Sequence, residues 1–220
     1  LDASECLPTF GVSPQMVFGI IAGGERALTR AIEGAEDDAA AGEQAIRDAD
    51  IQSVDVVVGI SARGGAPFVR AALAEAKRRG ATTVGIANSQ NAPLCADADI
   101  PIEAVVGPEV LQGSTRMKSG TAQKLILNML STGAMVRIGK TYGNRMVDVQ
   151  CSNAKLVKRA QRLVADIGQV ADPTAAQTFL DAAGGSVKTA IVMARRGVDK
   201  STADALLRAS DGFLSKVIDL

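Results

Sequence analysis

The residues best placed to do chemistry lie in GPEVLQGSTRMKSGTAQK, Gly107–Lys124. This stretch follows a β-rich run and leads into a long helical pattern. Ser114 or Thr115 would cap that helix, and its free backbone N–H groups would face a ligand. Arg116 and Lys118 then fall in the first turn, at the positive end of the helix dipole. Each costs about 0.3–1 kcal/mol there unless an anion compensates. Two such cations beside Ser114, Thr115, Ser119 and Thr121 point to a phosphate or another anionic group. The same spacing also fits a capped helix whose cations pair with a nearby acid such as Glu109, which itself counts among the candidate substrate-binding residues of this stretch.

A second loop, GISARGGAP (Gly59–Pro67), joins an apolar run to a helical one. Glycine-rich turns of this kind let backbone approach a phosphate, which makes Ser61, Arg63 and Gly64 candidates. The loop is neither a Walker motif nor GxGxxG, and it also reads as a plain tight turn. Among the acids, Glu5 stands beside Cys6, Leu7 and Pro8, company that could raise its pKa. Glu36 lies in EGAEDD with Glu33, Asp37 and Asp38, where acids also collect simply to satisfy a helix dipole. Tyr142 and the cysteines have no evident activating partner.

The chain has no histidine, which excludes Ser-His-Asp and Cys-His machinery and His-ligated metals. Acid–base work therefore falls to carboxylates, Lys, Tyr or Cys. Cys6, Cys95 and Cys151 are too scattered for a disulfide framework or a CxxC metal site, a pattern suited to a reducing cytoplasm. Lys+Arg and Asp+Glu balance at 24 each, so no global field favours nucleic acid or an acidic membrane. The apolar runs Val54–Ile60 and Leu125–Leu130 are too short to span a bilayer, and no signal peptide is visible. The first residue is Leu1, not Met, and the motif-like LDASECLPTF follows at once, so we expect a fragment or processed product.

These groups need a scaffold, and up to about residue 110 the pattern alternates β-rich and helical runs. Strands are expected at Met16–Ile21, Val54–Ile60, Thr82–Ile86 and Ile100–Val106, the second of them buried on both faces. Helices are expected at Glu25–Ile32, Asp37–Asp48 and Pro67–Arg79, the last with Pro in its first turn and Gly80 as its stop. This rhythm predicts an α/β fold, a doubly wound, mostly parallel sheet with ligands at the carboxyl ends of its strands. A helix from about Thr115 to Gly139 would be roughly 37 Å long. Its expected apolar face is Leu125, Met129, Thr132, Met135 and Val136. Asn153–Ile167 reads as a helix with Lys155, Lys158, Arg159 and Arg162 solvated. Helices at Pro173–Ala183, Ser186–Arg196 and Ser201–Arg208, with Ser186 and Ser201 as N-caps, suggest a small C-terminal helical bundle. The division read from this rhythm is 1–168 and 169–220.

LDASECLPTF, EGAEDD, GSTRMKSGTAQK, LNMLSTGAM and GKTYGNRMVDVQCSNAKL, in that order, resemble the N-acetylmuramic acid 6-phosphate etherase family. That family belongs to the sugar-isomerase-domain group, with a flavodoxin-like sheet, alongside phosphosugar isomerases and the glucokinase regulatory protein. The resemblance implies a cytoplasmic lyase that splits the D-lactyl ether of its sugar phosphate to give N-acetylglucosamine 6-phosphate. It also implies a homodimer with a shared active site and no metal or organic cofactor. Glu5 corresponds to the proton-donating glutamate of the family's DASE motif, and Glu36 to the second catalytic glutamate, in EGAED. The C-terminal helices resemble the ubiquitin-associated-like bundle at the end of such chains.

Two departures bear on the phosphate site. The resemblance implies a strand and a Gly/Ser/Thr-rich phosphate loop ahead of the DASE motif, outside the given sequence. The family's second loop also reads like SGRTP, where this chain has Arg63-Gly64-Gly65-Ala66-Pro67. Arg63 could replace the lost hydroxyl contacts with a charge-assisted one, or substrate preference could differ. An aldose–ketose phosphosugar isomerase and a non-catalytic sugar-phosphate sensor remain as alternatives within the same fold group.

Overall fold

The computed structural model describes residues 1–151 and 153–219. Ser152, within GKTYGNRMVDVQCSNAKL, and Leu220, the end of the expected C-terminal bundle, lie outside the described residues. In chain order, helix α1 (Asp2–Phe10) precedes two 3-10 turns, Glu25–Leu28 and Ala35–Asp37. Then come α2 (Ala39–Asp48), β1 (Val56–Ile60), α3 (Pro67–Arg78), β2 (Thr82–Ala87), α4 (Pro93–Asp97), β3 (Ile100–Glu103) and α5 (Lys118–Arg137). The short strands β4 (Thr141–Tyr142) and β5 (Arg145–Met146) lead to α6 (Ala154–Gly168), α7 (Pro173–Ala182), α8 (Val187–Arg196), α9 (Lys200–Ala209) and α10 (Ser215–Ile218).

Packing divides the chain into two compact units, Gly19–Leu127 and Leu1–Phe18 with Asn128–Leu220. This partition by contact differs in kind from the division at residue 168 suggested by sequence rhythm. The first unit is α/β: β1, β2 and β3 form a parallel sheet in that order. Helices cover both faces. On one, Gly59 and Gly85 lack the side chains that would hold α3 and α4 away. A Cβ on Gly59 would lie 2.8 Å from Leu73 Cδ1, and one on Gly85 would lie 2.8 Å from the Leu94 carbonyl oxygen. On the other face, reached by the strand's period of two, Val84 and Ile86 pack with Ile126 of α5.

In the second unit, Met135 of α5 packs with Cys6, Phe10 and Val12. A larger core joins Val147 and Val149 to Ala160, Val164 and Ile167 of α6 and to the helices that follow. Each fully buried Val or Ile there contributes about 1.5–3 kcal/mol. Lys155, Lys158, Arg159 and Arg162 line the solvated side of α6 as expected. Asn153 caps it by accepting from the Leu156 N–H.

Several expectations need correction. Met16–Ile21 is not a strand: its end residues bond only in local turns, Met16 N–H to the Ser13 carbonyl and Ile21 carbonyl to the Gly24 N–H. No strand pairs with it among the described residues, and Met16, Phe18, Ile20 and Ile21 are exposed. The Glu25–Ile32 helix shrinks to the turn Glu25–Leu28, because with Leu28 and Ile32 exposed no packed face offsets the cost of nucleation. The strand expected over Val54–Ile60 begins at Val56, which is 60% exposed at the sheet edge rather than covered on both faces. Ile100–Glu103 is thus the third strand of its sheet. The expected face of α5 is buried only at Met135; Leu125, Met129, Thr132 and Val136 are exposed. The helix instead serves a separate core in each unit, through Ile126 and Met135. Asp199 caps α9 by accepting from the Thr202 N–H, and Ser201 hydrogen-bonds back to Asp199. Ser186 caps α8 as expected.

Candidate functional site

The Gly19–Leu127 unit gathers its polar loops at the carboxyl ends of the three strands, where an open α/β sheet binds ligands. After β1, the Ser61 N–H continues the ladder to the Ile86 carbonyl (3.1 Å). The Gly64 N–H donates to the Ser61 carbonyl (3.0 Å), and the Gly64 carbonyl accepts from the Leu94 N–H (3.0 Å). Both backbone polar groups of Gly64 are thereby used inside the fold. Its φ of +71° and a Cβ position 2.7 Å from Ala92 Cβ explain why glycine stands there. Ser61 is half-buried and Arg63 is exposed.

After β2, the buried Asn88 amide donates to the Ala104 carbonyl (3.0 Å) and accepts from Gln123 Nε2 (2.8 Å). Glu103, at the end of β3, accepts from the Asn91 and Ala92 N–H groups (3.1 and 2.8 Å) and so fixes the start of α4. The spacing of ligand-like motifs did not reveal Asn88, Glu103 and Gln123. The available signal was a polar residue at the end of an apolar strand for Asn88 and Glu103; Gln123, inside α5, carried none.

The loop after β3 holds the densest group of candidates, and it caps α5 differently from expectation. Glu109, not Ser114 or Thr115, meets the helix N-terminus: its two oxygens accept from the Lys118 and Ser119 N–H groups, each at 2.9 Å. These bonds, the Ser119 N–H first, hold the Glu109 carboxyl below its usual range. A side chain nine residues upstream thus reaches the N–H groups before the local hydroxyls do. Lys118 Nζ turns back to the Val106 carbonyl (2.8 Å). Ser114 and Thr115 are half-buried, and their N–H groups close tight turns onto Leu111 and Gly113. Arg116 is exposed and lines a shallow cleft with Met117, Lys118, Thr121, Ala122 and Leu125.

Glu36 belongs to the same unit, on the exposed 3-10 turn Ala35–Asp37. The acids of EGAEDD divide their roles. Asp38 caps α2 by accepting from the Ala41 N–H (2.9 Å), so Glu36 is not needed at that helix end. In the other unit, Glu5 lies on α1, whose buried residues are Cys6 and Phe10. Adjacent helical positions point about 100° apart, so a buried Cys6 leaves Glu5 exposed, against the expectation of apolar company. Burial pushes the Cys6 and Cys95 thiols up, and Tyr142 donates its hydroxyl proton to Asp219 (2.7 Å).

A parallel sheet with helices on both faces and polar loops at its carboxyl ends defines an open α/β protein of the kind that binds ligands at its strand ends. Residues 38–132 match the SIS domain family. The chain is 54% identical over 216 residues, 98% of its length, to the N-acetylmuramic acid 6-phosphate etherase of Glaesserella parasuis, of which it covers 71%. It is 46% identical over its whole length to the Clostridium acetobutylicum etherase, covering 72% of that protein. With N-acetylmuramic acid 6-phosphate etherase 2 of Lactiplantibacillus plantarum it shares 50% identity over 219 residues and 74% of that protein. The chain belongs to the N-acetylmuramic acid 6-phosphate etherase family.

Proposed function

We propose that this chain is a carbon–oxygen lyase of cell-wall amino-sugar recycling, converting N-acetylmuramic acid 6-phosphate and water to N-acetylglucosamine 6-phosphate and D-lactate. The observation that carries the reading is similarity along 98% of the chain, at 54% identity, to a protein of that name. In the ring-opened sugar, the C1 aldehyde acidifies the C2 proton enough for a carboxylate to remove it. Glu36 takes that proton while Glu5, protonated, donates to the ether oxygen at C3, and D-lactate departs. Water then adds at C3 of the unsaturated aldehyde, giving a proton to Glu5, and Glu36 returns its proton to C2. The division requires one carboxyl to stay protonated while the other ionises. Both glutamates are exposed in this chain, so the bound sugar and a second subunit would supply the dry surroundings.

The phosphate is assigned to Ser61, Arg63 and the backbone N–H groups on either side of Gly64, whose own N–H is used inside the fold, with Ser114, Thr115, Arg116 and Lys118. No metal or organic cofactor enters these steps. A cytoplasmic homodimer sharing its active site fits the exposed Met129 and Val136 of α5. The balanced charge favours neither nucleic acid nor membrane partners. Among the described residues, no helix is long and apolar enough to cross a membrane.

The test is D-lactate release from N-acetylmuramic acid 6-phosphate. Glu5→Gln and Glu36→Gln should each lower the rate by at least about a hundredfold. Wild-type-like turnover in both variants overturns the assigned roles. Interconversion of aldose and ketose phosphates without D-lactate would mark an isomerase, and tight sugar-phosphate binding without turnover a sensor.

A further inference from the structure

At the start of α5 the fold uses the charge of Glu109 where a hydroxyl would have sufficed. Its carboxylate takes the first two N–H groups of α5, those of Lys118 and Ser119, at 2.9 Å each. The Lys118 side chain then crosses to the Val106 carbonyl at 2.8 Å. These contacts close the neck of the loop between residues 106 and 119. Inside it the turns are local: Ser114 N–H to Leu111, Thr115 N–H to Gly113, and Gly120 N–H to Thr115, each carbonyl at 3.0 Å. Val110 and Leu111, at the far side of the loop, are exposed and give it no apolar anchor. Met117 N–H to the Ser114 carbonyl (3.4 Å) and Gly120 N–H to Thr115 tie the residues next to the helix, and the Glu109 carboxylate with the Lys118 ammonium holds the rest of the loop against it.

That carboxylate also excludes one way of holding a phosphate. The N-terminus of α5 is an anion site by its dipole and free N–H groups, and it is already filled. A second anion there would displace Glu109 against like-charge repulsion. A bound phosphate must instead meet the side chains displayed by this loop together with the Ser61–Gly64 loop, and the clamp helps set the path of the former.

The geometry points to Glu109 as a positioning residue for phosphate recognition: it touches no substrate atom, and acts by fixing Ser114, Thr115 and Arg116. This inference rests on the etherase reading for its substrate, but its core claim concerns phosphate alone. Glu109→Gln keeps the shape and loses half of the clamp, since its amide NH2 cannot accept from a second N–H. Glu109→Asp keeps the charge on a shorter arm.

Two measurements test this in the purified protein. The first is the KM and kcat for D-lactate release. The second is the inhibition or direct calorimetric binding constant of inorganic phosphate, which needs no turnover. Glu109→Gln should raise KM and the phosphate constant together by about tenfold or more, with kcat changed less than about threefold. Glu109→Asp should fall between wild type and Gln in both. Loss of kcat at constant KM would overturn the idea, because Glu109 would then act on the reacting atoms. A lower melting temperature with KM and the phosphate constant unchanged would also overturn it, leaving only a helix cap. If wild-type protein releases no D-lactate, the etherase reading fails. The phosphate constants then still decide the role of Glu109.

Discussion

Gly42→Ala sets two physical effects of opposite sign against each other. Gly42 lies inside α2, where glycine is about 0.8–1 kcal/mol worse than alanine, so propensity alone says the substitution stabilises. The packing says otherwise. A Cβ at residue 42 would sit 2.1 Å from the Phe68 carbonyl oxygen and 2.9 Å from its carbonyl carbon. Those atoms are backbone, at the first turn of α3, and cannot swing aside as a side chain would. Ordinary contact would require the two helices to part by about 1 Å, and overpacking of this kind costs about 1–3 kcal/mol and occasionally more. With contact this close the upper part of that range applies, so the net loss should be about 1–2 kcal/mol after the propensity gain. For a chain of this size that lowers the melting temperature by about 2–8 °C. Thermal unfolding followed by circular dichroism measures it. Ala40→Gly, at an exposed position of the same helix, calibrates the propensity effect at about 1 kcal/mol. A melting temperature that rises in Gly42→Ala would refute the reasoning, since propensity would then outweigh the α2–α3 contact.

Other outcomes follow from charged groups away from the loops. Asp99 receives Lys77 at 2.7 Å and both the hydroxyl and the N–H of Thr83, and these hold its pKa down at about 2, mainly through Lys77. A depressed carboxyl pKa stabilises the fold above the unfolded value and loses that effect as pH falls. Asp99→Asn should therefore flatten the decline in melting temperature between about pH 4 and pH 2; superimposable wild-type and variant profiles would exclude the effect. Lys188 is buried, 2.6 Å from Asp148, and donates to the Gly212 carbonyl, while Lys140 stands 3.3 Å from the same Asp148 oxygen. Burial lowers the Lys188 pKa and Asp148 opposes that shift. Lys188→Met should destabilise by about 2–4 kcal/mol in denaturant unfolding, because Asp148 keeps only the longer partner. A change below 0.5 kcal/mol, the usual scale of a surface substitution, would mean the pair is solvated.

Much of the Gly19–Leu127 unit was legible because strands β1–β3 and helix α3 carry strong local signals: continuous apolar runs, Pro67 at a helix start and Gly80 just past its end. The failures share a physical cause. Met16–Ile21 has strand-forming residues but no partner strand among the described residues, and pairing is not a property of one segment. The face of α5 was misread because periodicity reports one stripe, whereas Ile126 and Met135 answer to different cores. At the candidate site the residue types were visible and their partners were not. Glu109 was recognised as a nearby acid, yet its reach to Lys118 and Ser119 depends on how the intervening loop folds back. Glu5 looked apolar in its surroundings until the turn of α1 assigned the inside to Cys6.

The short turn bearing Glu36 has a consequence for ligand affinity. Ahead of it Ile20, Ile21, Leu28 and Ile32 are exposed, and the only helical structure from residue 19 to 38 is in two 3-10 turns. Such a stretch opens at little free-energy cost, so its amides should exchange with solvent long before those around Ala190 and Ile191, which no side chain leaves uncovered. Fixing one backbone residue costs about 1–2 kcal/mol. Any sugar that must immobilise Glu36 before it can react would spend part of its binding energy on ordering this turn. That energy would be missing from the measured affinity and would reappear as discrimination among substrates.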